Sequence, residues 1–308
     1  MKMQSFDWAV GTTWISVVFL AFVCSIQAEE KEKIPPTVKN AKDGAEMIHI
    51  TGGRFLMGST RSEVDAQFRD TGLPQDWKTH TLDEEPRHQR TVEAFDIYKY
   101  EVTNDQYKMF IDATGHRSPP HWKEKNSPVD KGKHPVVQVS WDDAQAYCRW
   151  AGTRLPSEAQ WEFAARGAEP AEGQPSRAFP WGNTWDRRLS NNASLHAGRE
   201  LLSAADWNKW YEGDQKSLYP LTFPVGSFPK SVSPFGLHDM AGNAWEWCAE
   251  IQAPYPNQGA EDAKKKNFRA RRGGSWANVA MHIRSADRQS AAHDDLNIYT
   301  GFRCVKLP

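Results

Sequence analysis

The chain has 308 residues and a formal net charge of −1 at pH 7. This length suits one large domain or two small ones, with enough chain to bury a hydrophobic core. A net charge near zero gives no long-range field that would attract nucleic acid or an anionic membrane, so we expect neither as a partner.

The N-terminus predicts a secretory signal over residues 1–28. Lys2 precedes an apolar run from Trp8 to Val23, and Ser25 to Ala28 offers small residues for cleavage. We therefore expect an exported protein, periplasmic or secreted. The alternative is an uncleaved N-terminal anchor, since the run is close to the ~17 residues that a tilted span needs. No other membrane association is expected.

Cleavage would leave three cysteines, Cys148, Cys248 and Cys304. An odd number in an oxidising compartment predicts one disulfide and one spare thiol. Their spacing does not say which pair forms. No CxxC pattern or Cys/His cluster indicates zinc.

Residues 29–45 are charged, contain proline and hold few large apolar residues, which predicts a linker. The folded domain is expected over 46–308. It starts with short apolar runs, "MIHITGGRFLMG" and "FDIYKYEVT", and the second alternates with the period of a half-buried strand.

Three short helices are predicted from capping boxes, in which a hydroxyl residue is followed three positions later by a side chain that can bond back to the main chain. Each of these segments ends near a glycine suited to a left-handed C-terminal turn. The capping residues are Thr103, Ser140 and Ser157, and the glycines are Gly115, Gly152 and Gly167.

Beyond Gly167 the sequence is rich in Gly, Pro, Asn and Trp, and long irregular segments need something other than strand ladders to hold them. Fourteen tryptophans, a disulfide and metal ions are the candidates. Within "GLHDMAGNAWEW", the side chains of Asp239, Asn243 and Glu246 alternate with turn carbonyls, a pattern that suits calcium. The alternative is that Asp239 and Asn243 only cap turns. Asn191, Asn192 and Asp214 form a weaker oxygen cluster.

Seven motifs in order resemble the formylglycine-generating enzyme family, also called sulfatase-modifying factors, over residues 46–308. The resemblance implies an α+β fold that is irregular, poor in regular secondary structure, related to C-type lectins and stabilised by calcium. The motifs are "GGRFLMGS", "DEEPRHQRTVEAFDIYKYEVTNDQYKMF", "HPVVQVSWDDAQAYCRWAGTRLPSEAQWEFAARG", "FPWGN", "FPVGSFPKSVSPFGLHDMAGNAWEWC", "RRGGSWAN" and "GFRCV".

By this resemblance, a calcium ion would be held by Asp239, the carbonyls of Gly242 and Ala244, and Glu246. A second site would involve Asn192 and the carbonyl of Ala193. Its acidic ligand does not align, since Asp214 lies nearby and Ser217 is closer to the expected register.

The resemblance also implies a disulfide between Cys148 and Cys304, which leaves Cys248 free. It assigns the substrate groove to Trp245, Ser275, Asn278 and Arg284, where a guanidinium would suit a peptide carbonyl or carboxylate. The alternative is that Ser275 is a turn residue and that Arg284 pairs with Asp287 or Asp294.

The catalytic cysteine pair of the family, which binds copper(I), is absent. Asn278 stands at the first position and the second falls in a gap near Ala280, and neither residue can replace a thiolate. Tyr299 replaces a groove asparagine, with Asn297 two residues away. We therefore expect no copper and no formylglycine chemistry by the copper route.

Four polar side chains close to the groove segment could assist acid–base or metal chemistry, and the alternative is that they are ordinary surface residues. They are His282, His293, Asp294 and Asp295.

Three functions remain open. The first is an exported, calcium-stabilised protein that binds a peptide or a partner enzyme in an accessory or maturation role. The second is a divergent oxidoreductase that acts on a peptide-derived small molecule, like exported relatives that mature a siderophore chromophore without the cysteine pair. The third is a lectin-like sugar binder, by fold analogy alone.

Overall fold

A computed structural model describes residues 37–168, 170, 175–215, 220–256 and 267–308. The predicted signal peptide, residues 29–36 of the predicted linker, and Ser217 lie outside these residues. Within the described part of the chain, no helix combines the length and the apolar character needed to cross a bilayer. The described residues belong to one unit spanning Lys33–Pro308.

The described residues form six short α-helices. Capping boxes form at the three predicted N-termini, because local sequence is sufficient to specify them. The C-termini are less uniform: Gly115 and Gly152 adopt left-handed φ values, Gly152 directly after the C-cap Ala151 of α3, whereas Gly167 takes another conformation. The helices are α1 Arg61–Thr71, α2 Asn104–Thr114, α3 Trp141–Trp150, α4 Glu158–Arg166, α5 Ala193–His196 and α6 Ala204–Trp210.

In the part of the chain that the structure describes, the strands build two four-stranded sheets and one two-stranded ribbon. The first sheet has the order β1-β2-β5-β10, the second β8-β7-β6-β9, and β3 pairs with β4 in the ribbon. The strands are β1 Thr37–Lys39, β2 Glu46–Ile50, β3 Gly53–Met57, β4 His88–Val92, β5 Phe95–Tyr98, β6 Trp245–Ile251, β7 Phe268–Arg272, β8 Gln289–Ala292, β9 Thr300–Gly301 and β10 Val305–Lys306. This mixed and irregular architecture confirms the predicted α+β fold.

Residues 37–45, the C-terminal part of the predicted linker, make defined contacts with the folded domain. Strand β1 pairs antiparallel with β2, and the carboxylate of Asp43 accepts hydrogen bonds from the hydroxyls of Tyr98 at 2.6 Å and Tyr147 at 2.5 Å. The composition lacks apolar anchors, and the segment is held by polar contacts instead. Such contacts depend on distant residues that composition does not reveal.

Large aromatic side chains fill much of the interior, and a disulfide joins Cys148 of α3 to Cys304 just before β10. Cys248 is a buried free thiol. Three tryptophans, Trp161, Trp247 and Trp276, are fully buried. Segments with few strands are thus fixed by aromatic packing and a covalent bond.

Candidate functional site

A cavity of about 340 Å³ opens beside Asn278. Among the described residues, four parts of the chain line it: the 3₁₀ segment Gln75–Glu84, helix α6, residues 277–282, and Gln289 of β8. Its lining residues combine aromatic rings with polar side chains. They are Trp77, His80, Ala204, Trp207, Ala277, Asn278, Val279, Met281, His282 and Gln289.

The side chain of Asn278 is held in one orientation by Ser275. The main-chain N–H of Ser275 lies 2.9 Å from Asn278 Oδ1, and the Ser275 hydroxyl lies 2.7 Å from the same atom. An N–H can only donate, so the amide oxygen must face Ser275 and the amide nitrogen must point away from it. That nitrogen donates to none of the described residues, and Asn278 lines the cavity.

The turn before Asn278 requires glycine. Gly274 has φ +72°, and a Cβ atom there would lie 2.4 Å from the carbonyl oxygen of His282. The main chain at Gly274 therefore lies too close to the main chain at His282 to leave room for a side chain at position 274. This close approach fixes Ser275 relative to His282 and explains why the "GGS" motif precedes the site.

His282 is oriented by a buried carboxylate. Its Nδ1 lies 3.1 Å from Asp287, whose side chain is fully buried, whereas the imidazole is 17% exposed. A carboxylate accepts a hydrogen bond here, so the neutral imidazole carries its proton on Nδ1 and keeps the lone pair on Nε2. Of the four polar residues considered from sequence, only His282 lines the cavity; His293 instead pairs with Asp142 at 2.7 Å.

Arg284 does not serve as an open groove cation, which corrects the predicted role. It is 2% exposed, and its guanidinium donates to both oxygens of Glu84, at 2.5 and 2.7 Å, and to the carbonyl of Met281. Burial raises the pKa of Glu84 to about 7, against the opposing effect of Arg284. This ion pair joins residue 284 to the 3₁₀ segment that forms one wall of the cavity.

The alternatives kept open from sequence are partly found at this site. Arg284 lies 3.6 Å from Asp287, and Ser275 is a buried turn residue whose hydroxyl bonds to Asn278. Trp245 is 3% exposed, with the guanidinium of Arg271 5.3 Å from its ring. The predicted flat wall at Trp245 is therefore covered, and Trp77 and Trp207 line the cavity instead.

Two features of the walls were missed from sequence. Trp207 donates its indole N–H to the carbonyl of Ala277 at 2.7 Å and stacks on Tyr211. Helix α6 is therefore fixed against residues 277–282, another part of the cavity lining. Ser203 caps α6 by accepting from the amide of Asp206, a signal of the same kind that found the other helices. Tyr299 shares a 2.5 Å hydroxyl contact with Tyr211 behind this wall.

The turn expected to bind calcium holds an excess of buried negative charge. Asp239, Glu246 and Glu101 are all buried, and Arg303 pairs with Glu246 at 2.6 Å. Burial raises the pKa of Asp239 to about 6, and burial with repulsion from Asp239 and Glu246 raises the pKa of Glu101. An additional divalent cation would relieve this imbalance, so the charge of the site fits calcium.

The implied calcium ligands include main-chain oxygens. Asp239, Gly242 and Asn243 all have positive φ, which makes the turn that contains the carbonyls of Gly242 and Ala244. In the part of the chain that the structure describes, no three His, Cys, Asp or Glu side chains are grouped to hold a metal ion by themselves. Any cation at Asp239 and Glu246 would thus depend on the carbonyls of the turn.

The second implied calcium site has a different arrangement. The Asn192 side chain caps α5 by accepting from the amide of Leu195 at 2.9 Å, and it donates to the carbonyls of Arg187 and Ser190. The amide of Ala193 donates to the carbonyl of Asn278 at 2.9 Å. These contacts connect α5 to Asn278 at the cavity. The side chain of Asp214 lies outside the described residues.

The sequence profile of the sulfatase-modifying factor enzyme 1-like domain matches residues 32–308. The chain belongs to this sulfatase-modifying factor family. It is 28% identical to the formylglycine-generating enzyme of Mus musculus, over 84% of this chain and 74% of that protein. It is 31% identical to the inactive C-alpha-formylglycine-generating enzyme 2 of Mus musculus, over 86% of this chain and 87% of that protein.

Two solved structures have a similar fold. PvdO from Pseudomonas aeruginosa is 26% identical with a TM-score of 0.58, covering 89% of this chain and 98% of PvdO. CarF is 21% identical with a TM-score of 0.55, covering 85% of this chain and 98% of CarF, and it supports the fold alone.

The residues of this chain do not fit the copper site of formylglycine-generating enzymes. Asn278 stands at the first cysteine position, and Ala280 is buried in the 3₁₀ turn Ala280–Ile283. Among the described residues the free thiol is Cys248, which is fully buried in the core. Neither an amide nor a single core thiol provides the paired soft ligands that copper(I) needs.

Proposed function

We propose that this chain is an exported, calcium-stabilised accessory protein that binds a peptide segment of a client or partner protein in the Asn278 cavity. It performs no copper-dependent formylglycine chemistry. The observation that carries the proposal is a cavity retained beside Asn278, where an amide fixed by Ser275 replaces the thiolate.

The lining suits a peptide chemically. The amide nitrogen of Asn278 can donate to a peptide carbonyl, and the rings of Trp77 and Trp207 offer flat apolar surface to peptide planes and side chains. The volume lies at the lower end of the ~300–1,000 Å³ range of binding sites for small ligands. A short stretch of an extended peptide is therefore a suitable occupant.

The similarity to a protein whose name describes it as an inactive formylglycine-generating enzyme supports a role without this catalysis. Export is supported by the N-terminal sequence pattern, and calcium by the excess negative charge around Asp239. Together these features describe a rigid extracytoplasmic binder.

The test selects displayed peptides on the purified wild-type protein and measures their affinity for two variants. Trp207→Ala should weaken binding about tenfold or more, as expected for an aromatic anchor. Trp181→Ala is the matched control, because Trp181 stacks on Phe179 in an aromatic cluster that does not line the cavity. Equal affinity of the peptides for Trp207→Ala and wild type would refute the proposal.

A second assay addresses the absence of copper chemistry. The protein is incubated with copper(I), oxygen and a CxPxR peptide, and the products are analysed by mass spectrometry. We expect unmodified cysteine. Formylglycine at the rate of a parallel formylglycine-generating enzyme reaction would exclude the accessory role.

The retained cavity and the 28% identity to a formylglycine-generating enzyme also favour a second candidate, an oxidoreductase acting on a peptide-derived small molecule. Elemental analysis and oxygen uptake with such molecules test it. Calcium as the only bound metal, together with no oxygen uptake, would eliminate this candidate.

A further inference from the structure

His282 has a buried partner that a ligand-binding role alone does not require. Its Nδ1 lies 3.1 and 3.3 Å from the two oxygens of Asp287, and Arg284 lies 3.6 Å from the same carboxylate. The cation of Arg284 offsets the cost of burying Asp287, which keeps the carboxylate able to orient the imidazole. The unprotonated Nε2 bonds to none of the described residues.

A hydrogen-bond donor lines the same cavity. The amide oxygen of Asn278 is occupied by Ser275, so the amide nitrogen is the group free to donate to a ligand. A base and a fixed neutral donor in one partly apolar cavity are the two elements needed to move a proton and to stabilise the negative charge that results.

We propose that the cavity is a proton-transfer site, in which His282 is the general base and Asn278 the donor to a developing oxyanion. This inference rests on the proposed ligand-binding role of the cavity. The substrate class is a planar carbonyl compound, such as a peptide group or a conjugated ring ketone, that lies against Trp77 or Trp207.

The proposed step balances without an oxidant or a reductant. A C–H or N–H bond next to the carbonyl breaks, its proton forms a bond to Nε2 of His282, and the electron pair moves onto the carbonyl oxygen. The amide N–H of Asn278 donates to that oxygen. Return of the proton from the imidazolium to a different ligand atom completes an isomerisation.

Charged and titratable groups from different elements surround His282. Asp287 lies 3.1 Å from its Nδ1, Arg284 lies 3.6 Å from Asp287, and His80 of the 3₁₀ segment lines the same cavity.

The test uses 5-nitrobenzisoxazole, a planar probe that opens to a coloured cyanophenolate when a base removes its ring C–H proton and the N–O bond breaks. Wild type should exceed free imidazole at equal concentration. His282→Gln should lose about 100-fold, within the range for general bases, and Asn278→Ala should lose several-fold. His293→Gln is the matched control, since His293 also pairs with an aspartate but lies outside the cavity.

Binding is measured separately with 5-nitroindazole, a planar analogue that cannot open, through quenching of tryptophan fluorescence. Circular dichroism of each variant establishes that it is folded. Binding without turnover, or equal rates for His282→Gln and wild type, overturns the proton-transfer site and leaves peptide binding intact. Absence of binding removes the cavity as a site for planar carbonyl substrates and overturns the proton-transfer proposal, while the peptide affinities of Trp207→Ala and wild type decide the peptide-binding role separately.

Discussion

The two carboxylate oxygens of Asp83 have different surroundings. Oδ2 accepts a hydrogen bond from Gln252 at 2.8 Å, whereas Oδ1 has no partner among the described residues. Burial, reinforced by repulsion from Asp287, raises the pKa of Asp83 to about 6, although Arg288 and Arg272 oppose the shift. The ionised form is therefore unfavourable in the folded protein.

The consequence is a stability that depends on pH. A carboxyl whose pKa is raised in the folded state stabilises that state below its unfolded pKa of about 4 and loses this contribution as the pH rises to about 6. Asp83→Asn should therefore change little at pH 4 and stabilise by about 1 to 2 kcal/mol at pH 8, allowing for partial exposure. Thermal unfolding across this range measures it, with exposed Asp76→Asn as control. A constant difference at both pH values would contradict the argument.

The variant Asp239→Asn tests whether the carboxylate of Asp239 binds calcium. Asparagine can still accept the hydrogen bond that Gly226 donates to Asp239 at 2.6 Å, but it removes one of three buried carboxylates. With chelator, the variant should be at least as stable as wild type. With calcium at a hundredfold excess over Kd, wild type should gain about 3 kcal/mol and the variant much less. Equal calcium-induced shifts in melting temperature would exclude Asp239 as a ligand.

Single residues also show where sequence reasoning stops. The sequence presents Arg284 and its neighbour Asp287, but the decisive partner Glu84 is 200 residues away. No local pattern identifies such a pair. The role of Asn278 was easier to predict, because the absence of a thiolate at that position can be read directly from the residue type.

At the scale of elements, the 3₁₀ segment Gln75–Glu84 is the least regular wall of the cavity. It is held by the Glu84–Arg284 ion pair and by the hydrogen bond that Arg288 donates to the carbonyl of Asp83. Poor hydrogen-bond geometry in 3₁₀ structure makes such external contacts necessary. The position of Trp77 and His80 thus depends on a buried charge pair.

The variant Glu84→Gln should weaken the attachment of the 3₁₀ segment to the rest of the domain and lower the stability of the protein. It removes the carboxylate that pairs with Arg284 and leaves Asp287, at 3.6 Å, as the remaining counter-charge, so we expect a loss of about 1 to 3 kcal/mol. The control is Asp112→Asn, whose exposed contact with Lys108 at 2.6 Å should cost at most about 1 kcal/mol. Urea unfolding midpoints compare the two. Similar midpoints would mean that the segment is held by other contacts.

Helices were predictable to the extent that their caps are local. The capping boxes at Thr103, Ser140 and Ser157 are confirmed, and Thr60 with Glu63 forms a fourth that the same rule would have found. The 3₁₀ wall offers no such signal, since Pro74 makes no side-chain cap. Tertiary contacts determine that segment, and a single sequence does not contain them.

On the scale of the whole molecule, the disulfide links residues 156 positions apart and joins helix α3 to the end of the chain. A cross-link over a long loop removes conformational freedom mainly from the unfolded chain. The paired replacement Cys148→Ala with Cys304→Ala should therefore cost about 2 to 5 kcal/mol.

Guanidinium unfolding of this double variant measures the loss. Cys248→Ala is the control, because it removes a buried thiol but no cross-link, and it should cost about 1 kcal/mol. If both proteins unfold at the same denaturant concentration, the covalent link does not contribute to stability as described.

The cavity is lined by segments around residues 77, 207 and 280, which are far apart in the sequence, so its shape depends on distant parts of the described chain. A ligand bound in the cavity should therefore stabilise these segments together and raise the melting temperature by mass action. Thermal-shift screening of metabolite and peptide libraries is consequently a direct route to the natural ligand.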